Sequence, residues 1–142
     1  MLRSALLAAV FAAGCATAVS AATMQFHATM NGASEMPPKQ TAGTGEALAT
    51  LDTTSKLLTY TVTFENLSGP ATAAHFHGPA AAGANAGVAV PIGGKGPTSP
   101  VHGTATLTDA QMKDLEAGMW YVNVHTAANP GGEIRGQVMP AK

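Results

Sequence analysis

The stretch "AAHFHGPA" (73–80) sets His75 and His77 on either side of Phe76, in a chain with only five histidines. In an extended segment, residues i and i+2 share a face. His75 and His77 then point one way and Phe76 points into the core. Their Cβ atoms are about 6–7 Å apart, from a rise of about 3.3 Å per residue. Two imidazoles at that spacing can lean together on one ion, with metal–nitrogen bonds of about 2.0–2.1 Å.

A third ligand is at hand in "MWYVNVHT" (119–126). Trp120, Val122 and Val124 alternate onto one face, which leaves Tyr121, Asn123 and His125 on the other. His125 stands at the strand end, beside the turn "AANPGG" (127–132). Neutral imidazoles suit copper, zinc or iron, and no cysteine competes for the role. His102 and Glu35 are further candidates. His102 opens a strand after a Pro-rich loop, and Glu35 precedes the stiff Pro37-Pro38 pair as a ligand or as an acceptor for one. Met36 is either a soft axial ligand or an apolar plug under its loop. His27 lies opposite the apolar face of its strand and is expected to be exposed. Glu133 and Arg135 share a face and are expected to pair there; alternatively Glu133 orients His125. The plainer role for His75 and His77 is hydrogen bonding to loop carbonyls with no ion.

The elements that must position these residues alternate with period two. Strands are expected over 24–31, 43–52, 56–67, 71–77, 87–92, 102–108, 119–126 and 132–139. The second and third make a hairpin across "TTS" (53–55). Pro91 puts its strand at an edge or ends it. One helix is expected in "TDAQMKDLEAG" (108–118), with Thr108 and Gln111 as a capping box, Gly118 as its stop, and Met112 and Leu115 toward the core. About eight strands and one short helix predict an all-β fold, an antiparallel Greek-key β-sandwich.

The first 22 residues read as a secretory signal peptide: Arg3, an apolar run at 5–13 too short to span a bilayer, and small residues before a cut after Ala22. The mature domain would be 23–142, about 120 residues and enough for one core. Localisation would be periplasmic or secreted. A lipid anchor on Cys15, the single cysteine, is the less favoured alternative. Seven basic and eight acidic residues, with no basic cluster, argue against nucleic acid as partner. No second long apolar run exists, so no membrane span is expected.

Over nearly all of the mature region the chain resembles the chordin-type (CHRD) domain family, as in its bacterial single-domain exported members. "FHATMNGASEMPP" is similar to the family's opening. "GTGEALATLD" and "LLTYTVTFENL" are similar to its central hairpin, "AAHFHGPA" to its Ala-His-apolar-His-Gly-Pro signature, and "GMWYVNVHTAANPGGEIRGQV" to its closing motif. The position after Glu35 more often holds Val in that family, which weakens a special role for Met36. The resemblance implies an extracellular or periplasmic β-sandwich. It brings forward His75, His77, Gly78, Pro79, His125, Asn129, Pro130, Gly131, Gly132, Glu133 and Arg135 as signature positions, without assigning their roles.

Three functions follow as expectations. The first is a metal-binding protein that holds copper, alternatively zinc, through His75, His77 and His125, for storage, delivery or tolerance. The second is an interaction module for another exported protein, with no metal. The third, by analogy with Cu/Zn superoxide dismutase, is a copper redox enzyme; no Ser-His-Asp arrangement, carboxylate pair or phosphate loop supports other chemistry.

Overall fold

A computed structural model describes residues 22–142. The signal-peptide and Cys15 readings lie outside those residues, apart from Ala22. The strands are β1 (Thr23–Asn31), β2 (Thr44–Asp52), β3 (Leu57–Glu65), β4 (Ala71–His77), β5 (Val88–Ile92), β6 (Val101–Thr106), β7 (Trp120–Thr126) and β8 (Ile134–Pro140), with one α-helix, α1 (Asp109–Glu116), between β6 and β7. A single 3-10 turn, Gly32–Ser34, follows β1, capped by the Asn31 side chain.

All pairings are antiparallel, in the order β5-β4-β7-β8-β1-β2-β3-β6. Hydrogen bonding thus runs through one continuous eight-stranded sheet, nearly closed into a barrel, with no break into two sheets. Rolling the sheet brings its end strands β5 and β6 into contact. Tyr60 on β3 helps close it: its cross-strand neighbour is Gly103 on β6, where a Cβ would overlap the phenol, and its Oη donates to Pro91 O on β5 at 3.5 Å. Pro91 is tolerated because β5 is an end strand.

Period-two patterning places Phe26, Ala28 and Met30 of β1, Ala47, Ala49 and Leu51 of β2, and Leu58, Tyr60 and Val62 of β3 in the core. Phe76, Trp120, Val122, Val124, Ile134 and Val138 join them. Thr108 accepts from Gln111 N, and the Gln111 side chain bonds back to the cap, so α1 begins on the capping box. Gly118, at φ +70°, ends it, and Leu115 is buried.

On β7 the burial does not alternate as a half-exposed strand would. Tyr121 and Asn123, on the face opposite the core, are also buried. Two loops cover that face. Glu35, after the 3-10 turn, meets Asn123, and the segment 84–86 meets Tyr121, His77 and Arg135.

Candidate metal centre

Register builds the site. In the β4–β7 ladder Ala73 faces His125, His75 faces Asn123 and His77 faces Tyr121; in the β7–β8 ladder Asn123 faces Arg135 and Tyr121 faces Gln137. One sheet face therefore carries His75, His77, Tyr121, Asn123, His125 and Arg135 together. Phe76, between the two histidines, is 1% exposed in the core. It is held edge-on to Tyr60, with centroids 5.3 Å apart, and against Trp120 at 6.0 Å. That anchoring fixes which way the flanking imidazoles point.

The ligand atoms of His75, His77 and His125 all lie within 4.8 Å of one another. His75 Nδ1 and His125 Nε2 are 3.1 Å apart. With bonds of about 2.0–2.1 Å, that separation subtends an angle of about 100° at a shared ion, a normal coordination angle. His125 Nδ1 is 2.9 Å from Pro130 O. Donation of Nδ1–H to that carbonyl fixes the tautomer and leaves Nε2 as the ligand atom.

His77 is held differently. Its Nδ1 is 3.0 Å from Ala86 O and its Nε2 3.0 Å from Asn123 Oδ1. Its ring lies flat on Tyr121, with centroids 4.7 Å apart and planes 4° from parallel. The Arg135 guanidinium lies over the Tyr121 ring, its Cζ 3.4 Å from that ring's centroid. Arg135 Nη1 donates to Asn85 Oδ1 at 2.8 Å and Nη2 to Ala84 O, while Tyr121 Oη donates to Ala86 O at 3.2 Å. The loop over the site is thus pinned by the residues beneath it.

Burial lowers the pKa of His75 below the ordinary imidazole value, aided by His125 and His77 nearby. Burial also lowers that of His77, against the pull of the Ala86 and Asn123 oxygens. Both shifts favour the neutral form that binds metal.

Glu35 is 3% exposed and outside the ligand cluster. Asn123 Nδ2 donates to its Oε1 at 3.4 Å. Burial raises its pKa, opposed by the Met36 N–H, the Asn123 amide and the charges of Arg135 and His125. Gly132, at φ +128°, lies so close to this carboxyl that a Cβ there would overlap it and Asn123. His102 is exposed on β6, its Nδ1 2.9 Å from Thr61 Oγ1, and takes no part in the cluster. His27 is exposed, as expected.

Three expectations are corrected. Glu133 and Arg135 do not pair on the surface: both are buried, at 0% and 2% exposure, with separate partners. Nor does Glu133 orient His125, since Pro130 O does that. Glu133 instead accepts from Thr41 Oγ1 at 2.6 Å, Ser68 N at 2.8 Å, Ser68 Oγ at 2.5 Å, Thr126 Oγ1 at 2.6 Å and Asn129 Nδ2 at 3.2 Å. Desolvation works to raise its pKa, but the donors outweigh it and bring it down to about 2. Met36 is 43% exposed, so it is no plug under its loop. Sequence reasoning missed Asn123 and Tyr121 as parts of the site; their sharing the His125 face in "YVNVH" is the signal that pointed to them.

Fold and site together define a small antiparallel β module with a buried polar face and a three-histidine cluster compatible with a metal ion. A family model for the CHRD domain matches residues 26–138, and the chain belongs to that family. No curated protein and no solved structure matches the chain.

Proposed function

We propose that this CHRD domain is an exported metal-binding protein that takes up one transition-metal ion, copper before zinc, through His75, His77 and His125. The supporting observation is the cluster itself: ligand atoms from two neighbouring strands within 4.8 Å of one another. A donor set of imidazoles without thiolate suits copper and zinc, and copper stands above zinc in intrinsic affinity for such sites. Three histidines leave a coordination position for water or an incoming ligand, which suits storage or delivery. Part of the same reading is export through the leader at 1–22 to the periplasm or beyond, and a Greek-key classification of the rolled sheet.

Isothermal titration of the chain with copper and with zinc tests it. One ion per chain is expected, with affinity reduced about 100-fold or more in His75→Ala and His125→Ala. Binding in both variants equal to the parent's defeats the proposal. A redox enzyme built on this site is a lesser reading, tested by superoxide dismutation with copper-loaded protein. A metal-free interaction module remains the alternative if titration shows no binding.

A further inference from the structure

We propose that the pocket over Arg135, between the loop after β1 and the loop before β5, is a binding site for a small carboxylate that carries a short apolar group. The site is separate from the three histidines and does not depend on their holding an ion. Ala33, Ser34 and Met36 of the first loop and Ala82 of the second form its walls, with Arg135 and Gln137 of β8 as its floor. Its volume is about 230 Å³. Pockets for drug-sized ligands run from about 300 to 1,000 Å³, so this one suits a smaller group.

Arg135 is the reason to expect an anion. It is 2% exposed, yet the one ion pair among the described residues is Lys56–Asp109, so its charge has no carboxylate partner there. A guanidinium has five N–H donors. Nη1 gives one to Asn85 Oδ1 and Nη2 one to Ala84 O, both neutral acceptors, and the Tyr121 ring against it is neutral too. Nε has no partner among the described residues, and no fully buried side-chain nitrogen there lacks one, so Nε opens to the pocket. A buried charge met only by neutral groups is costly, and a carboxylate brought to it forms a charge-assisted pair in the guanidinium plane. Gln137 Nε2 is committed to Ala80 O and Gly118 O, and Ser34 Oγ to Asn31 Oδ1, which leaves Arg135 as the side-chain donor of the pocket. The lining has one cation and no second, which suits a singly charged carboxylate over phosphate. Met36, 43% exposed at the rim, joins Ala33 and Ala82 in offering apolar surface to a short tail.

Titration of the chain with sodium butyrate at constant ionic strength, followed by nitrogen-15 NMR, tests this. Butyrate is expected to shift the Arg135 Nε–H signal and to bind about tenfold or more tighter than butyramide, the worth of one hydrogen bond to a charged group. Acetate is expected to bind about three- to tenfold more weakly than butyrate, for want of the buried CH₂ groups. Met36→Ala, at an exposed position, should narrow that gap. Arg135→Lys keeps the charge but not the fork, and should lose butyrate about tenfold or more. Should that variant fold poorly, the Nε–H signal of the parent still decides. The dipeptide N-acetyl-alanyl-valine with a free C-terminus separates two sources of the same chemistry. Tighter binding than butyrate assigns the site to a peptide end, and weaker binding assigns it to a free short-chain acid. Equal binding of butyrate and butyramide, phosphate binding tighter than butyrate, or an Arg135 Nε–H signal that stays put overturns the proposal. None of these results bears on metal binding by the histidines, which has its own titration.

Discussion

Glu133 carries the largest resolved carboxylate shift in the protein, and its partners explain what it does. Donors from Thr41 and Ser68, in two loops, and from Thr126 and Asn129, at the end of β7 and in the turn after it, converge on one buried carboxylate. These segments meet at the end of β7 that carries His125, so Glu133 supports the three-histidine cluster without touching it. Glu133→Ala leaves these donors unpartnered and is expected to cost about 3–5 kcal/mol in urea unfolding. Because its folded pKa, about 2, lies below the ordinary 4.5, its contribution is complete above pH 4.5 and is lost as pH falls toward 2. Acid titration of stability should show that fall in the parent and a flatter profile over the same range in Glu133→Ala. His75 and His77 have the same sign: their lowered pKa values make the neutral rings part of the folded state. Stability from them is complete above the ordinary 6.5 and declines as pH drops below it. Bound metal should be released over that same acid range, since protons and the ion compete for the same nitrogens.

At the scale of elements, β4 and β7 do most of the positioning, and their pattern was legible. "AAHFH" and "WYVNVH" give period-two faces, and the two strands do pair, bringing His75 and His77 beside His125. The β2–β3 hairpin and the capping box of α1 were equally plain, because turn and cap chemistry is local. The roles of Glu133 and Arg135 were not legible. Alternation put them on one face, which suggested a surface ion pair, but alternation does not say that loops 31–41 and 80–87 fold over that face. Once it is covered, each charge needs its own set of partners, and these come from residues dozens of positions away. Phe76→Ala tests the element-level argument. It removes the core anchor between the two histidines and should cost about 3–5 kcal/mol. It should also weaken metal binding without removing a ligand. Gly136, where a Cβ would overlap the Thr29 carbonyl, marks the close approach of β8 to β1; Gly136→Ala is expected to destabilise by about 1–3 kcal/mol in the same assay.

The whole molecule is a sheet with two differently used faces. The inner face is apolar and closes through Tyr60 onto β5; the outer face, along β4, β7 and β8, is roofed and polar, with Glu35, His77, Asn123 and Arg135 buried on it. A fold without disulfides among residues 22–142 gains from any ion that binds only its native state. A metal ion at 100 times its dissociation constant should add about 2.7 kcal/mol, seen as a higher Tm that a chelator reverses. No helix among the described residues is long and apolar enough to cross a membrane.

The most direct test of the metal centre is pulsed electron paramagnetic resonance of the copper(II)-loaded chain, counting the imidazole nitrogens coupled to the ion. Three are predicted for the parent and two for His125→Ala, with His27→Ala and His102→Ala leaving the spectrum unchanged. A parent spectrum without coupled imidazoles, or one that His125→Ala does not alter, would contradict the account.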